Sequence, residues 1–403
     1  RVDVGDLLGV CGFVFGTGMG AVTVRAAAEF QLLAKALRAL PVVKETEEET
    51  YYEVTDKEFR YRQRYVDLAV NEDVRGVFRQ RSKLISTMRG FLDKQGCLEV
   101  ETPVLQPVYG GASAAPFETH HNALDMPLYL RIADELYLKR LLVGGFEGVY
   151  EIGKDFRNEG LSRFHNPEFT MMECYVAYKD YRWMMDLTED LLRTAATALH
   201  DTPTVAFEGH EIDFGGEWTR IPFFEAIEEA TGFDLYRAGA DRVYDVAANE
   251  LGLEEVEADM GLGGLLDEIF SETVEPTLVQ PTFVTDYPIE LSPLAKKHRE
   301  KEGLVERFEL VVAGREVANA FSELNDPQDQ RERFERQARQ RAAEVDDDVD
   351  PEDLIDEDYL RALEYGMPPA AGLGVGIDRL TMILTGQESI RDVILFPLLR
   401  PEQ

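Results

Sequence analysis

The chain has 403 residues, with 42 Lys and Arg against 77 Asp and Glu, a formal net charge of −35. Such an excess repels phosphate at long range, so a nucleic-acid partner requires a local basic patch. The ordinary 44% hydrophobic content makes the excess a solvated acidic surface, as in a high-salt cytoplasm, rather than disorder. Cys11, Cys97 and Cys174 are too dispersed for a zinc knuckle, a CxxC pair or a disulfide framework, and neither a signal peptide nor an apolar run of about 18 residues occurs, which predicts a cytoplasmic protein with no membrane partner.

The length allows one large catalytic domain plus a smaller piece, or two or three ordinary domains. Residues 1–43 open with the apolar run Leu7–Phe15, a Gly-rich turn at Gly16-Thr17-Gly18-Met19-Gly20, and Ala21–Arg25. This is the pattern of a hairpin; the turn lacks the Lys-Ser/Thr and the helix of a phosphate loop. Two strands do not make a domain, so the segment is read as the end of a small β-barrel whose first strands lie upstream of Arg1. Residues 44–58 are acidic and polar, as a linker or surface insertion would be. Arg60-Tyr61-Arg62-Gln63-Arg64-Tyr65-Val66-Asp67-Leu68 follows as a basic patch with interleaved tyrosines. A nucleic-acid contact and a helix docking between domains through Arg–carboxylate pairs fit it equally.

From Val77 to Leu92, Leu84 or Ile85, Met88 and Leu92 recur at helical spacing, and Gly96 marks the stop. Leu98–Pro103 reads as a strand ended by proline. His120 and His121, adjacent on a predicted strand, would point to opposite faces and form a poor pair of metal ligands. Glu135–Leu142 is predicted helical, and Trp183, Leu187 and Leu191 mark an amphipathic helix. Helical periodicity with exposed acids over 225–275 suggests an insertion covering one sheet edge. Pro288–Lys297 is expected to be extended, and Phe308–Gly314 and Arg315–Glu323 to be strands. On the latter, Asn319, Phe321 and Glu323 share a face while Glu316 points away, so a bulge between 316 and 319 is required if Glu316 serves the same site. Asp346-Asp347-Asp348 reads as a solvated acidic loop. Gly372–Met382 runs strand into helix; a dinucleotide fingerprint fails because Ile377 occupies the sixth-position glycine, and glycines two apart instead let another group lie flat on that face.

Phe156–Tyr175 reads as two β-runs joined by a loop whose turn chemistry comes from Gly160, Ser162, Asn166 and Pro167. On strands, Arg157 would share a face with Glu159, and Phe169 with Met171, Glu173 and Tyr175. In isolation this is most simply an exposed, salt-bridged hairpin. Taken with Arg379, Glu309 and Glu316, the set suits a nucleoside triphosphate, with arginines for phosphate charge and carboxylates for Mg²⁺.

Three stretches resemble the signature motifs of class II aminoacyl-tRNA synthetases: the helix, strand and proline at 78–103, Phe156-Arg157-Asn158-Glu159 with its His165-Asn166-Pro167 loop, and Gly372–Arg379. Within that class the chain resembles the bacterial-type lysyl-tRNA synthetases over nearly its whole length, most clearly at Arg60–Leu68, Glu99–Gly111, Thr119–Asp125, Tyr129–Arg140, Arg157–Tyr178, Leu291–Lys296 and Glu316–Asp326. The resemblance implies an α+β fold, with an antiparallel β-sheet of six or seven strands flanked by helices. Residues 1–43 would be the end of an OB-fold anticodon-binding domain, 44–70 a linker, and 71–403 the catalytic domain, dimerising through the first motif. It further implies ATP-dependent activation of L-lysine to lysyl-adenylate with release of pyrophosphate, then transfer to the 3′ end of tRNA(Lys), with Mg²⁺ as cofactor.

By similarity, Arg157 clamps the α-phosphate and the reacting carboxylate, and Arg379 contacts the γ-phosphate. Glu159, His165, Asn166 and Phe169 take ATP, with Phe169 stacking on adenine, and Glu309 and Glu316 hold Mg²⁺. Glu135, Glu173 and Glu323, with Tyr175, Asn319 and Phe321, form the lysine pocket, and Gly111 contacts the substrate backbone. Ala318 and Ala320 stand where many relatives have glycine, which narrows the pocket floor. With an incomplete barrel the chain is expected to activate lysine but charge tRNA poorly. A paralogue that lysylates a protein would lack the strands at Leu7–Val24 and the linker at Arg60–Leu68; an inactive binding module would have lost an arginine or a Mg²⁺ carboxylate.

Overall fold

Along 168–177, Thr170, Met172, Cys174 and Val176 alternate with Phe169, Met171, Glu173 and Tyr175, so this stretch can bury an apolar face on one side and present polar chemistry on the other. In the computed structural model it is the longest strand of the largest sheet. The structure describes all residues except 1, 19, 28, 29, 39, 42, 43, 46–49, 52, 53, 55, 113, 258, 259, 346–354, 402 and 403; the expected acidic loop at 346–348 therefore lies outside the described residues.

Two compact units are present, residues 1–77 with 395–403, and residues 78–394, the boundary falling within the helix Glu72–Lys94. In the first unit Gly12–Gly16 pairs antiparallel with Val22–Ala26, the expected hairpin, and Leu7–Gly9 pairs with Gln31–Ala34. Residues 57–62 and 64–70 are helical; Asp56 caps the first by accepting from the amides of Glu58 and Phe59. The basic patch is turned onto carboxylates of its own unit. Fully buried Arg64 sits 2.6 Å from Asp67, which also pairs with Arg60 at 3.0 Å, while Arg62 pairs with Glu58. These pairs lie within the patch itself, between residues 58 and 67.

The larger unit is built on eight strands: β1 (Leu98–Glu99), β2 (Gly148–Phe156), β3 (Glu168–Ala177), β4 (Thr219–Pro222), β5 (Thr282–Thr285), β6 (Arg307–Val311), β7 (Glu316–Ser322) and β8 (Ala370–Gly376). Their order is β4-β5-β6-β7-β8-β3-β2-β1. The six inner strands are antiparallel neighbours, and β1 and β4 add on parallel at the two edges. Eight strands are present where the resemblance implies six or seven; Leu98–Glu99 falls within the expected strand Leu98–Pro103, and Thr219–Pro222 and Thr282–Thr285 are the strands not read from the sequence.

One face of this sheet is apolar. Phe308, Leu310, Ala318, Ala320, Leu373, Val375, Met172 and Cys174 pack there against Leu84, Met88 and Leu92 of the helix Glu72–Lys94, against α1 (Tyr181–His200), and against α2 (Ile377–Thr385). A second apolar cluster forms over the β4–β5 edge, where Phe223–Thr231, Ala240–Asp245 and Leu262–Thr273 supply the predicted helical insertion. Three local expectations change. β1 is only two residues long, β2 stops at Phe156 so that Arg157 and Glu159 lie on a loop, and Ile289–Leu291 forms a 3₁₀ turn where extended chain was expected. Proline at 288, with φ fixed near −65°, starts that turn. Among the described residues no helix is long and apolar enough to cross a membrane.

The helix Glu72–Lys94 is tied to the sheet by a buried ion pair, Arg81 to Asp378 at 2.6 Å; the same carboxylate accepts from the Thr170 amide at 2.7 Å. Removing the carboxylate strands a guanidinium. Asp378→Ala is therefore expected to cost about 3–5 kcal/mol of unfolding free energy, and the double variant Arg81→Met/Asp378→Leu to recover much of it, as read by urea denaturation.

Candidate active site

The face of the sheet opposite the helices is set by register. Glu173 lies opposite Gly374, Gly374 opposite Asn319, and Asn319 opposite Glu309, giving one row across four strands. The next row is Tyr175, Gly372, Phe321 and Arg307. These rows floor a cavity of about 1320 Å³. The required bulge is present: Leu310 pairs with Ala318 but Val311 with Glu316, so Val317 is the extra residue and Glu316 returns to the face of Glu309. Every expected site residue except Glu323 lines this cavity.

At one end of the cavity stand the arginines. The Arg157 guanidinium lies 5.0 Å from the centroid of the Phe169 ring, and its buried Nε has no hydrogen-bond partner among the described residues. The loop carrying it is pinned by its own amides, Arg157 N–H to Pro167 O at 2.9 Å and Asn158 N–H to Ala115 O at 2.8 Å. Arg379 donates to the Glu316 carbonyl at 3.0 Å and to His165 Nε2 at 3.0 Å. Arginine only donates, so the neutral imidazole carries its proton on Nδ1, facing Ser162 Oγ at 2.9 Å. Burial, then the Arg379 charge, holds His165 below the usual histidine range. Asn166 is fixed by donating to the Glu168 carbonyl at 2.6 Å, and Glu159 is exposed at the rim.

Glu309 accepts from the Tyr287 hydroxyl at 2.8 Å and pairs with Arg307, which also donates to Asn319 at 3.1 Å. Burial pushes Glu309 up to about 7, Arg307 opposes this, and Glu316 and Asp267 repel it further. Glu316 is partly exposed and 3.4 Å from Arg379; its amide donates to Glu275. Glu309, Glu316, Asp267 and Glu275 thus concentrate oxygen donors on the wall that adjoins the arginines, a donor set suited to a hard divalent cation.

The other end is anionic and buried. Glu173 accepts from the Tyr175 hydroxyl at 2.8 Å; burial first, then repulsion by Asp155 and Glu135, pushes it up to about 8. Gly111 adopts φ +89°, and a Cβ there would lie 3.0 Å from that of Ala133, so only glycine fits beside Glu135. A Cβ on Gly372 would sit 2.2 Å from Glu323 Oε1 and 2.4 Å from the Tyr175 ring, which is why the floor carries glycine at that position. Glu323 itself lies behind the wall with no solvent exposure, ion-paired to Lys139.

Lys139 was not among the expected residues. It is fully buried, pairs with both Glu135 and Glu323, and lies 5.2 Å from the Phe321 ring centroid and 5.9 Å from that of Tyr175. Its signal is its place four residues after Glu135 on a predicted helix, realised as Glu135–Val143. Arg307, too, was readable as sharing the strand face of Glu309. Among the described residues one group of three carboxylates has ligand atoms within 4.8 Å of one another: Asp134, Asp155 and Glu173. Two of its members, Asp134 at 3.3 Å and Asp155 at 3.2 Å, share Arg131 with Glu151 at 2.7 Å. Burial, with Glu173 and Asp155 adding repulsion, pushes Asp134 up to about 11, so it keeps its proton. His120 and His121 are engaged locally, with Asp125 and with the Leu124 amide.

The sequence profile of the family described as tRNA synthetases class II (D, K and N) matches residues 56–400. A lysine–tRNA ligase of Carboxydothermus hydrogenoformans is 57% identical over 403 residues, covering 100% of this chain and 80% of the relative. A lysine–tRNA ligase of Porphyromonas gingivalis is 54% identical over 401 residues, with 68% of its length covered. With the cavity's cationic and anionic ends joined by one strand register, these likenesses over the whole chain lead to one conclusion: the chain belongs to the class II tRNA synthetases, in the lysine–tRNA ligase family.

Proposed function

We propose that the cavity binds ATP at its arginine end and L-lysine at its carboxylate end, and that the chain forms lysyl-adenylate and then lysyl-tRNA(Lys). The observation that carries this reading is the row Glu173–Gly374–Asn319–Glu309, which runs from one end to the other on a single sheet face. A lysine carboxylate would then meet the triphosphate beside Arg157. In activation, a carboxylate oxygen bonds to the α-phosphorus as the bond to the bridging oxygen breaks, and pyrophosphate leaves. In transfer, a terminal ribose hydroxyl of tRNA attacks the adenylate carbonyl, AMP leaves, and the hydroxyl proton is released. The amino-acid carboxylate is its own nucleophile, so the side chains act by positioning and by charge.

In this reading Arg157 bridges the α-phosphate and the lysine carboxylate, and Arg379 meets the γ-phosphate. Neutral His165 adds no charge to that end; it holds Arg379 in place and, with Glu159 and Asn166, contacts the nucleotide. Phe169, already stacked under Arg157, offers its ring to adenine. Glu309 and Glu316 would hold Mg²⁺, whose chemistry when bound is to neutralise triphosphate charge. Glu173 with Tyr175 takes the lysine side-chain ammonium, Glu135 and Gly111 take the backbone end, and Asn319 and Phe321 line the stem. Glu323 acts from behind this wall. The acidic, cytosol-compatible composition supports a cytoplasmic enzyme, and the exposed edge strand β1 with its preceding helix supports a homodimer formed there.

The test is lysine-dependent ATP–pyrophosphate exchange; no exchange above background with lysine would sink the reading. Glu173→Gln is expected to raise the lysine KM by the equivalent of about 1.5–3 kcal/mol, one charge-assisted hydrogen bond, while moving the ATP KM little. A pH dependence follows from the raised Glu173. In the free enzyme its carboxyl is protonated below about 8, whereas lysine keeps its ammonium to about 10.4, so ionisation of Glu173 creates the partner the ammonium needs. The lysine KM is expected to fall as pH rises through that value, and Glu173→Gln to flatten the profile; steady-state exchange kinetics across pH measures both.

A further inference from the structure

Lys139 stands directly behind the lysine end of the cavity yet does not line it. Its ammonium is the cation between Glu135, which lines the cavity, and Glu323, whose Oε1 lies 2.2 Å from where a Cβ on Gly372 would fall, on the cavity face of the sheet. Both carboxyls are buried, and burial raises each above the usual carboxylate range even with the ammonium beside them. Lys139 itself is held above the ordinary lysine range by those two carboxylates, against the effect of burial. Phe321 and Tyr175, whose rings form the pocket side, turn toward the same ammonium.

Glu135 and Glu323 share the Lys139 ammonium, and Arg307 also acts on Glu135; Glu173 faces Asp134 and Asp155, with Arg131 behind them. Without Lys139 the two buried carboxyls Glu135 and Glu323 would lose their direct ion-pair partner, and the cheapest relief is to protonate one of them. A protonated carboxyl at Glu135 is a poor partner for an ammonium.

We propose that Lys139 is a positioning residue for lysine recognition: its buried ammonium holds Glu135 and Glu323 as an oriented ionised pair, and so sets how much positive charge the pocket accepts. The inference deepens, and rests on, the assignment of this cavity to lysine. A purely structural ion pair would stabilise the fold equally for both substrates, whereas the proposed role acts on lysine alone.

The experiment is ATP–pyrophosphate exchange on the full chain, comparing wild type with Lys139→Met and with Lys139→Ala, the latter titrated with propylammonium or with 1-propanol. Lysine-dependent exchange by the wild type is measured first, and its absence would overturn the underlying assignment rather than the role of Lys139. The expected result is a lysine KM raised about tenfold or more in both variants, the factor of one charge-assisted contact, with the ATP KM within about threefold. Propylammonium, occupying the space vacated in Lys139→Ala, is expected to restore the lysine KM, and 1-propanol to leave it unchanged. Should Lys139→Met fail to fold, the titration of Lys139→Ala decides. A lysine KM unchanged in a folded variant, a parallel rise in both KM values, or equal rescue by the alcohol would each overturn the proposal.

Discussion

The structure depends on a register shared by four antiparallel strands, β6, β7, β8 and β3. Because side chains alternate with period two, a single slip would move Glu173, Asn319 and Glu309 into the apolar face and Met172, Ala320 and Leu310 into the cavity. Burial of the apolar face under the helices therefore does more than stabilise the sheet. It fixes which residues face the cavity. The bulge at Val317 is the one licensed exception, and it turns Glu316 from the wrong face to the one Glu309 occupies.

Within that frame much of the site is legible in the sequence. The face shared by Phe169, Glu173 and Tyr175, and that shared by Asn319 and Phe321, follow from alternation alone, and the bulge was demanded by the parity of Glu316 against Asn319. The same reasoning fails at Arg157 and Glu159, since β2 ends at Phe156 and the loop that follows is shaped by hydrogen bonds to Pro167 and Ala115. Alternation cannot see such tertiary pins. It also missed β4 and β5, because strands of four residues offer little period to detect.

Lys139 was overlooked for a different reason. A pocket expected to bind a cation directs attention to carboxylates, and a lysine nearby reads as a surface partner of a helix acid. Burial reverses that reading: a carboxylate deep in protein is not a dependable anion unless something holds it ionised. Glu323 illustrates the point. Resemblance places it with the substrate's ligands, yet its contact in the structure is to Lys139, and its bulk bears on Gly372, so its influence on the pocket passes through the protein.

In the proposed reading the two substrates impose opposite demands on one cavity. Lysine must lead its ammonium into carboxylates, while its own carboxylate approaches a triphosphate that repels it, in a chain that is already strongly acidic. Long-range attraction therefore cannot gather these anions; charge must be arranged at short range, within the roughly 10 Å over which ions are not screened. Arg157 sits where the two demands meet, with a buried Nε that has no protein partner among the described residues. Behind the lysine end, Arg131 and the proton on Asp134 reduce the negative charge facing Glu173, and a Glu173 that ionises only near pH 8 spares the empty pocket a further buried anion. In the proposed reading, arrival of an ammonium then makes ionisation favourable where it is useful, so that the charge recognising lysine is completed by lysine itself.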